Sequence, residues 1–196
     1  MFRSSRLLPL FLLVLIFVMP VLLAWYGVNK GHWSGAHVNH GYLFQPAVEL
    51  NTLVGKNIDG PAFSWQNNAQ KWGMVYVVPP VCDASCHHAI YMLHQVRIAL
   101  NQDQDRFIRV LVFLSPPESK LWQSIQADAN AKGMHAFILD EKALRARLKQ
   151  DPVGKILILD PQQRAVLAYA TDVNPSLLLK DLQRLMRVFH LGQDKA

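Results

Sequence analysis

Hydrophobic positions along the chain fall into three regimes. From residue 7 to residue 26 they are continuous, and LLPLFLLVLIFVMPVLLAWY carries no charged residue over twenty positions. At a helical rise of about 1.5 Å per residue such a run crosses a hydrocarbon layer of roughly 30 Å, which predicts one membrane-spanning helix. Pro9 and Pro20 lie inside it, and membrane spans tolerate proline because neighbouring groups re-satisfy the freed carbonyls. From residue 28 to about residue 69 the periodicity is weak and Gly, Asn, His and Trp dominate, as in GHWSGAHVNHGYLFQP, so a tether and an irregular lead-in are expected.

From Lys71 onward the pattern alternates between strand-like and helix-like stretches. Residues 72–78 (WGMVYVV) read as a buried strand stopped by Pro79 and Pro80. Residues 84–102 show helical spacing, with Ile90, Leu93, Val96 and Leu100 on one face. Strands are predicted at 106–114, 134–140, 155–160 and 164–170, and helices at 118–132 and 141–150. The last helix runs from Pro175 to about Phe189, with Asn174 able to cap, Pro175 fitting the first turn, and Leu178, Leu182, Leu185 and Phe189 as its apolar stripe. Strands alternating with helices and closing on a hairpin and a helix predict an α/β fold, a mixed sheet with helices on both faces. The expected organisation is thus residues 1–6 as a cytoplasmic N-terminus, 7–28 as a transmembrane anchor, 29–69 as the tether and 70–192 as the folded domain.

Composition supports a folded core, since 51% of the 196 residues are hydrophobic and 17% are charged. Arg3 and Arg6 precede the apolar run while Trp25 and Tyr26 close it, so the positive-inside rule puts Met1 in the cytoplasm and everything after Lys30 outside the inner membrane, in the periplasm or its equivalent. The run exceeds a signal peptide's apolar core and no small-x-small site follows, so an uncleaved anchor is expected. The formal charge is +6, but the Lys and Arg are scattered and form no run, which argues against nucleic acid as a partner.

Location changes what the two cysteines mean. Thiols beyond the membrane meet oxidants, so an exported C-x-x-x-C, here Cys82 and Cys86, points to function. The pair follows a strand and a Pro-Pro turn at the opening of a helix, where free N–H groups and the helix dipole favour a thiolate at Cys82. Cys86, one turn on, shares that helix face. A fully helical pair four apart has its Cα atoms about 6 Å apart, usable for a disulfide once the first turn unwinds. Two thiolates on one face suit Cu(I) and suit a reducible disulfide equally. His87 or His88 could add an imidazole ligand to such a metal. His94, His135 and His190 read as structural, and His32, His37 and His40 as solvated loop residues with no cysteine or carboxylate pattern to join. C-D-A-S-C-H also has the form of a rare haem attachment variant, but a covalent haem at that place would displace the core. Zinc lacks two further well-spaced ligands.

The succession of strand, C-x-x-x-C, helix, strand, helix, then a strand ending in ILDP (158–161) before a hairpin and a last helix, resembles the Sco/SenC branch of the thioredoxin-like superfamily. Those are membrane-anchored proteins that deliver or prepare copper for the binuclear site of cytochrome c oxidase. The resemblance implies a thioredoxin-like fold, Cys82 and Cys86 as thiolate ligands or redox partners, Cu(I) as the metal, and the oxidase's copper-binding subunit or another assembly factor as the partner. The family's third ligand is a histidine following an aspartate shortly before the L-D-P signature, and this chain reads Asp151-Pro152 there. His87 stands where the family has proline. Three functions therefore stay open: Cu(I) handling with Cys82, Cys86 and His87, enzymatic thiol–disulfide exchange by Cys82 and Cys86, and a noncatalytic assembly scaffold. Thioredoxin-like folds also place a cis proline just before the strand facing the cysteines, a place that Pro152 fits.

Overall fold

The structure, a computed structural model, describes residues 7–29, 40–58, 65, 68 and 70–193. The chain divides into two compact units, Met1–Val38 and Asn39–Ala196. In the first, α1 (Leu7–Asn29) is a 23-residue helix without a charged residue. Its described side chains, residues 12–23, 25 and 26, are exposed. Among the described residues no helix is long and apolar enough to cross a membrane.

The second unit is built on seven strands: β1 (Tyr42–Glu49), β2 (Lys56–Asn57), β3 (Trp72–Val77), β4 (Phe107–Phe113), β5 (His135–Ile138), β6 (Lys155–Leu159) and β7 (Arg164–Ala170). They lie in the order β1-β7-β6-β3-β4-β5-β2. The pairs β3–β4 and β4–β5 are parallel; β3–β6, β6–β7, β1–β7 and β2–β5 are antiparallel. Helices α2 (Ala84–Ala99), α3 (Ser119–Ala127), α4 (Glu141–Leu148) and α5 (Pro175–Gln193) connect or follow the strands.

Every residue of β3 and β4 is buried, which is why these strands read as unbroken apolar runs. Alternation along β3 sends Met74 and Tyr76 into one core, shared with Ile90, Leu93 and Val96 of α2 and with Leu178 and Leu182 of α5. Val75 and Val77 enter a second core closed by Leu144 and Leu148 of α4. The mixed sheet thus has helices on both faces, as the pattern predicts. Gly73 allows β3 and β6 to meet, since a Cβ there would sit 3.2 Å from that of Leu159.

Three differences from the sequence reading have plain causes. The stretch expected to be irregular contains the edge strands β1 and β2. The exposure of β1 does not alternate, Pro46 interrupts it, and its register shifts between Leu43 and Val48, so it has no strand signature. Helix α3 stops at Ala127 because the Asp128 carboxylate accepts from Asn130 N and opens a short 3-10 turn, Ala129–Ala131. In α5 the buried stripe is Leu178, Leu182 and Met186; Leu185 is half-buried, and the Phe189 side chain lies outside the described ones.

Candidate redox site

Strand β3 delivers the chain to one end of the sheet, where Val78 N still donates to Val112 O at 2.8 Å before Pro79 and Pro80 turn the backbone away. Asp83, in an extended conformation, then caps α2: its Oδ1 accepts from Ser85 N at 3.0 Å and from Cys86 N at 3.1 Å. Cys82 and Cys86 are joined in a disulfide with their Cα atoms 5.1 Å apart. Cys86 is 1% exposed within the α2 core face, whereas Cys82 is half-buried and its neighbour Val81 is 78% exposed.

The two sulfurs meet at the opening of α2, the helix that the spacing predicts from residue 84. Cys82 lies ahead of the cap, outside the helix, which brings the Cα atoms closer than two helical positions four apart allow. The Ser85 and Cys86 N–H groups are taken by the Asp83 carboxylate and so do not serve a thiolate. Asp83 acts on this end of the sheet electrostatically as well. The Tyr76 hydroxyl is pushed up to about 12, first by burial and then by the Asp83 charge.

His87 Nδ1 lies 3.4 Å from Asp128 Oδ2, so the imidazole is turned toward the end of α3. Burial pushes the Asp128 carboxyl up, but hydrogen bonds from Asn130 and His87 outweigh it and hold the group below its ordinary range. His88 is exposed, its ring 6.3 Å from that of Tyr91. His94 packs against Arg109, with Nδ1 at 3.1 Å from Nη1, and His135 is half-buried. His40 is not a free loop residue, because its N–H and ring both meet the buried Asp181. His32, His37 and the His190 side chain lie outside the described residues.

Pro152 is buried at the cysteine end of the sheet, where Gly154 N donates to Val77 O at 2.9 Å. The chain thus brings the family's third-ligand position to the correct end, with a side chain that has no donor atom. Asp151 is exposed and occupied by Arg145 Nη1 at 2.9 Å and Val153 N at 3.1 Å. The expectation of a cis Pro152 is also corrected: the cis bond among the described residues is Gln45–Pro46, while Lys155 N closes a turn on Pro152 O. Among the described residues no group of three or more His, Cys, Asp and Glu side chains could hold a metal. Joined in a disulfide, the two sulfurs are not thiolate ligands, and Pro152 adds no donor atom, so the oxidised pair and this position do not assemble the family's three-ligand copper set. Asp160 of the ILDP segment sits at the opposite end of β6, accepting from Gln162 N and from Arg164 N and Nε to build the β6–β7 turn.

A cavity of about 520 Å³ opens beside the cysteine loop, lined by Pro79, Pro80, Pro116, Pro117, Asp151 and Val153 among others. Sequence reasoning missed it, although the two Pro-Pro pairs at the ends of adjacent parallel strands are its sequence trace.

The family described as transmembrane-like, thioredoxin-like, C-terminal domain matches residues 72–189, the stretch that holds both cysteines, strands β3 to β7, helices α2 to α4 and most of α5. The chain belongs to this family. Three solved structures share the fold of this transmembrane-like thioredoxin family member. Apo Sco1 from Thermus thermophilus is 16% identical, with 78% of this chain and 99% of that one covered at a TM-score of 0.54. Yeast Sco1 with copper bound is 12% identical, covering 71% and 89% at 0.56. The thioredoxin domain of a thiol-disulfide oxidoreductase from Bacteroides vulgatus is 14% identical, covering 71% and 96% at 0.54. No curated protein matches the chain. The thioredoxin-like fold is thereby established.

Proposed function

We propose that this protein is a membrane-anchored, extracytoplasmic thiol–disulfide exchange protein acting on the copper-site thiols of the cytochrome c oxidase copper-binding subunit or of another assembly factor. One observation carries the reading: a half-exposed Cys82 outside the helix is bonded to a Cys86 sealed in the core. Only the first sulfur can meet a partner, and only the second can resolve the product.

In the reduced protein the Cys82 thiolate attacks a partner disulfide, forming a Cys82–partner bond and releasing the partner's other sulfur as a thiolate. The Cys86 thiolate then attacks Cys82 Sγ, closing the internal disulfide and freeing the partner as a dithiol. Two electrons pass from the pair to the partner, and a dithiol donor outside the membrane restores them. The cavity beside Pro79 and Pro117 accepts the partner's chain, and exposed Val81 gives it an apolar contact. Helix α1 serves as the inner-membrane anchor, with Arg3 and Arg6 on the cytoplasmic side. Cys86→Ser is expected to accumulate a mixed disulfide with a copper-site subunit and Cys82→Ser to form none. Equal trapping by both variants sinks the proposal.

A second reading, Cu(I) handling, is favoured by the two sulfurs that reduction would free at one place, next to His87, and by the fold shared with a copper-bound Sco1. Anaerobic Cu(I) titration of the full-length protein separates the two. Stoichiometric uptake lost in the Cys82→Ser/Cys86→Ser double variant supports copper handling, and no uptake leaves exchange alone. Undiminished oxidase activity in cells carrying the double variant points instead to a scaffold.

A further inference from the structure

At the end of the sheet opposite the cysteines, a cavity of about 300 Å³ is lined by Lys71, Arg97, Arg109, Lys132 and His135, with Asp105 as the one carboxylate. The register pairs Trp72 with Phe107 at the start of β3 and β4, and His135 opens β5, so the cavity sits where the parallel strands begin.

Arg109 is its most telling residue. It is 5% exposed on a strand that is otherwise wholly apolar, FIRVLVF. Nη1 lies 3.1 Å from His94 Nδ1 and donates to Asn130 O at 3.1 Å, while Nη2 donates to Lys132 O at 2.8 Å. No carboxylate among the described residues pairs with it. The Nε–H and the second Nη2–H have no protein acceptor among the described residues. A buried guanidinium without a counterion is costly unless an anion completes it.

The rest of the lining repeats the imbalance. Lys71 and Lys132 are exposed and form no ion pair among the described residues. Arg97 reaches Asp105 only at 3.5 Å, and that carboxylate is 87% exposed. Gly133, at a φ of +75°, leaves the opening beside Arg109 without a side chain. The uncompensated field is felt by the groups themselves: Arg109 is pulled down to about 10 by burial and then by Arg97, and His135 is lowered by burial and then by Lys71.

We propose that this cavity is a binding site for a phosphate-type oxyanion, with Arg109 presenting its two free N–H groups from below and Lys71, Lys132 and Arg97 adding charge at the rim. A planar guanidinium matches the oxygens of a phosphate, and lysines serve as mobile point charges around it. The volume, at the small end of ligand pockets, fits inorganic phosphate, pyrophosphate or a single lipid phosphate.

Titration calorimetry on the full-length protein in a zwitterionic detergent tests this with pyrophosphate at fixed ionic strength. Saturable one-to-one binding is expected, weakened roughly tenfold or more in Lys71→Glu/Lys132→Glu, whose positions are exposed and safe for the fold. Binding is expected unchanged in Cys82→Ser/Cys86→Ser. Heat no greater than that from sodium chloride at equal ionic strength overturns the site, as does equal binding by the lysine variant. Nanodiscs then identify the source. Pyrophosphate binding that survives in phosphatidylcholine but is lost in phosphatidylglycerol assigns the site to a lipid headgroup, and binding that survives in both assigns it to a soluble anion.

Discussion

Asp83 shows how one residue can serve structure and restrain chemistry together. Its Oδ1 closes the first turn of α2 by accepting from Ser85 N and Cys86 N, and the same charge stands between the two cysteines in sequence. A negative group there opposes a thiolate, so the two roles can be separated by substitution. Asp83→Asn keeps an accepting oxygen and removes the charge; the alkylation of reduced Cys82 is expected to shift to lower pH with little change in the unfolding midpoint. Asp83→Ala loses the cap as well and is expected to cost about 1 kcal/mol in urea denaturation. A lower-pH shift absent from both variants means that Asp83 does not restrain Cys82. The cysteines themselves were legible because their spacing and their place after a Pro-Pro turn are written in consecutive residues. That Asp83 would cap α2 was not, because the cap depends on the extended backbone at residue 83 and on where its carboxylate is placed.

At the scale of elements, α5 is held by more than its apolar stripe. Asp181, 3% exposed, accepts from Tyr169 OH of β7 at 2.7 Å and from His40 N at 2.8 Å, so one buried carboxylate ties the last helix to the last strand and to the residues that lead into β1. The Tyr169 hydroxyl is pushed far up by burial and then by this carboxylate. Tyr169→Phe leaves Asp181 with a lost partner and is expected to destabilise the domain by about 1.5–3 kcal/mol, read from urea denaturation of the full chain. A cost near zero means that the carboxylate is satisfied without the tyrosine. This tie was invisible in the sequence, because its members lie 141 and 12 positions from Asp181 and none belongs to a motif. The regular elements were legible for the opposite reason. Strands β3, β4 and β6 are buried on both faces and α2 on one, so burial imprints itself on adjacent residues. Edge strands such as β1 and β2 bury little and leave no such imprint.

The whole molecule inherits a pH dependence from its basic end. Burial and the charges of Arg109 and Arg97 hold His94 below its ordinary range, with Asp128 pulling weakly the other way, and burial and Lys71 do the same for His135. Folded imidazoles held neutral bind fewer protons than the unfolded chain, whose histidines titrate near about 6.5. Stability is therefore fully present above that value and falls as acidification draws protons onto the unfolded chain first. Asp128 works in a separate and more acidic window, since its lowered carboxyl contributes above the ordinary aspartate range and is lost only as pH falls through its folded value. Urea midpoints of the full-length protein are expected to rise from pH 5.5 to pH 7 and then level off, with the slope reduced in His94→Gln/His135→Gln. Glutamine keeps an oxygen for Arg109 while removing the titration, so a changed slope cannot be blamed on a lost hydrogen bond. The buffers must be free of phosphate, because an anion beside Arg109 and Lys71 would neutralise the same field that depresses His135. A midpoint that falls across this range, or a slope that the double variant leaves intact, places the titration elsewhere in the chain.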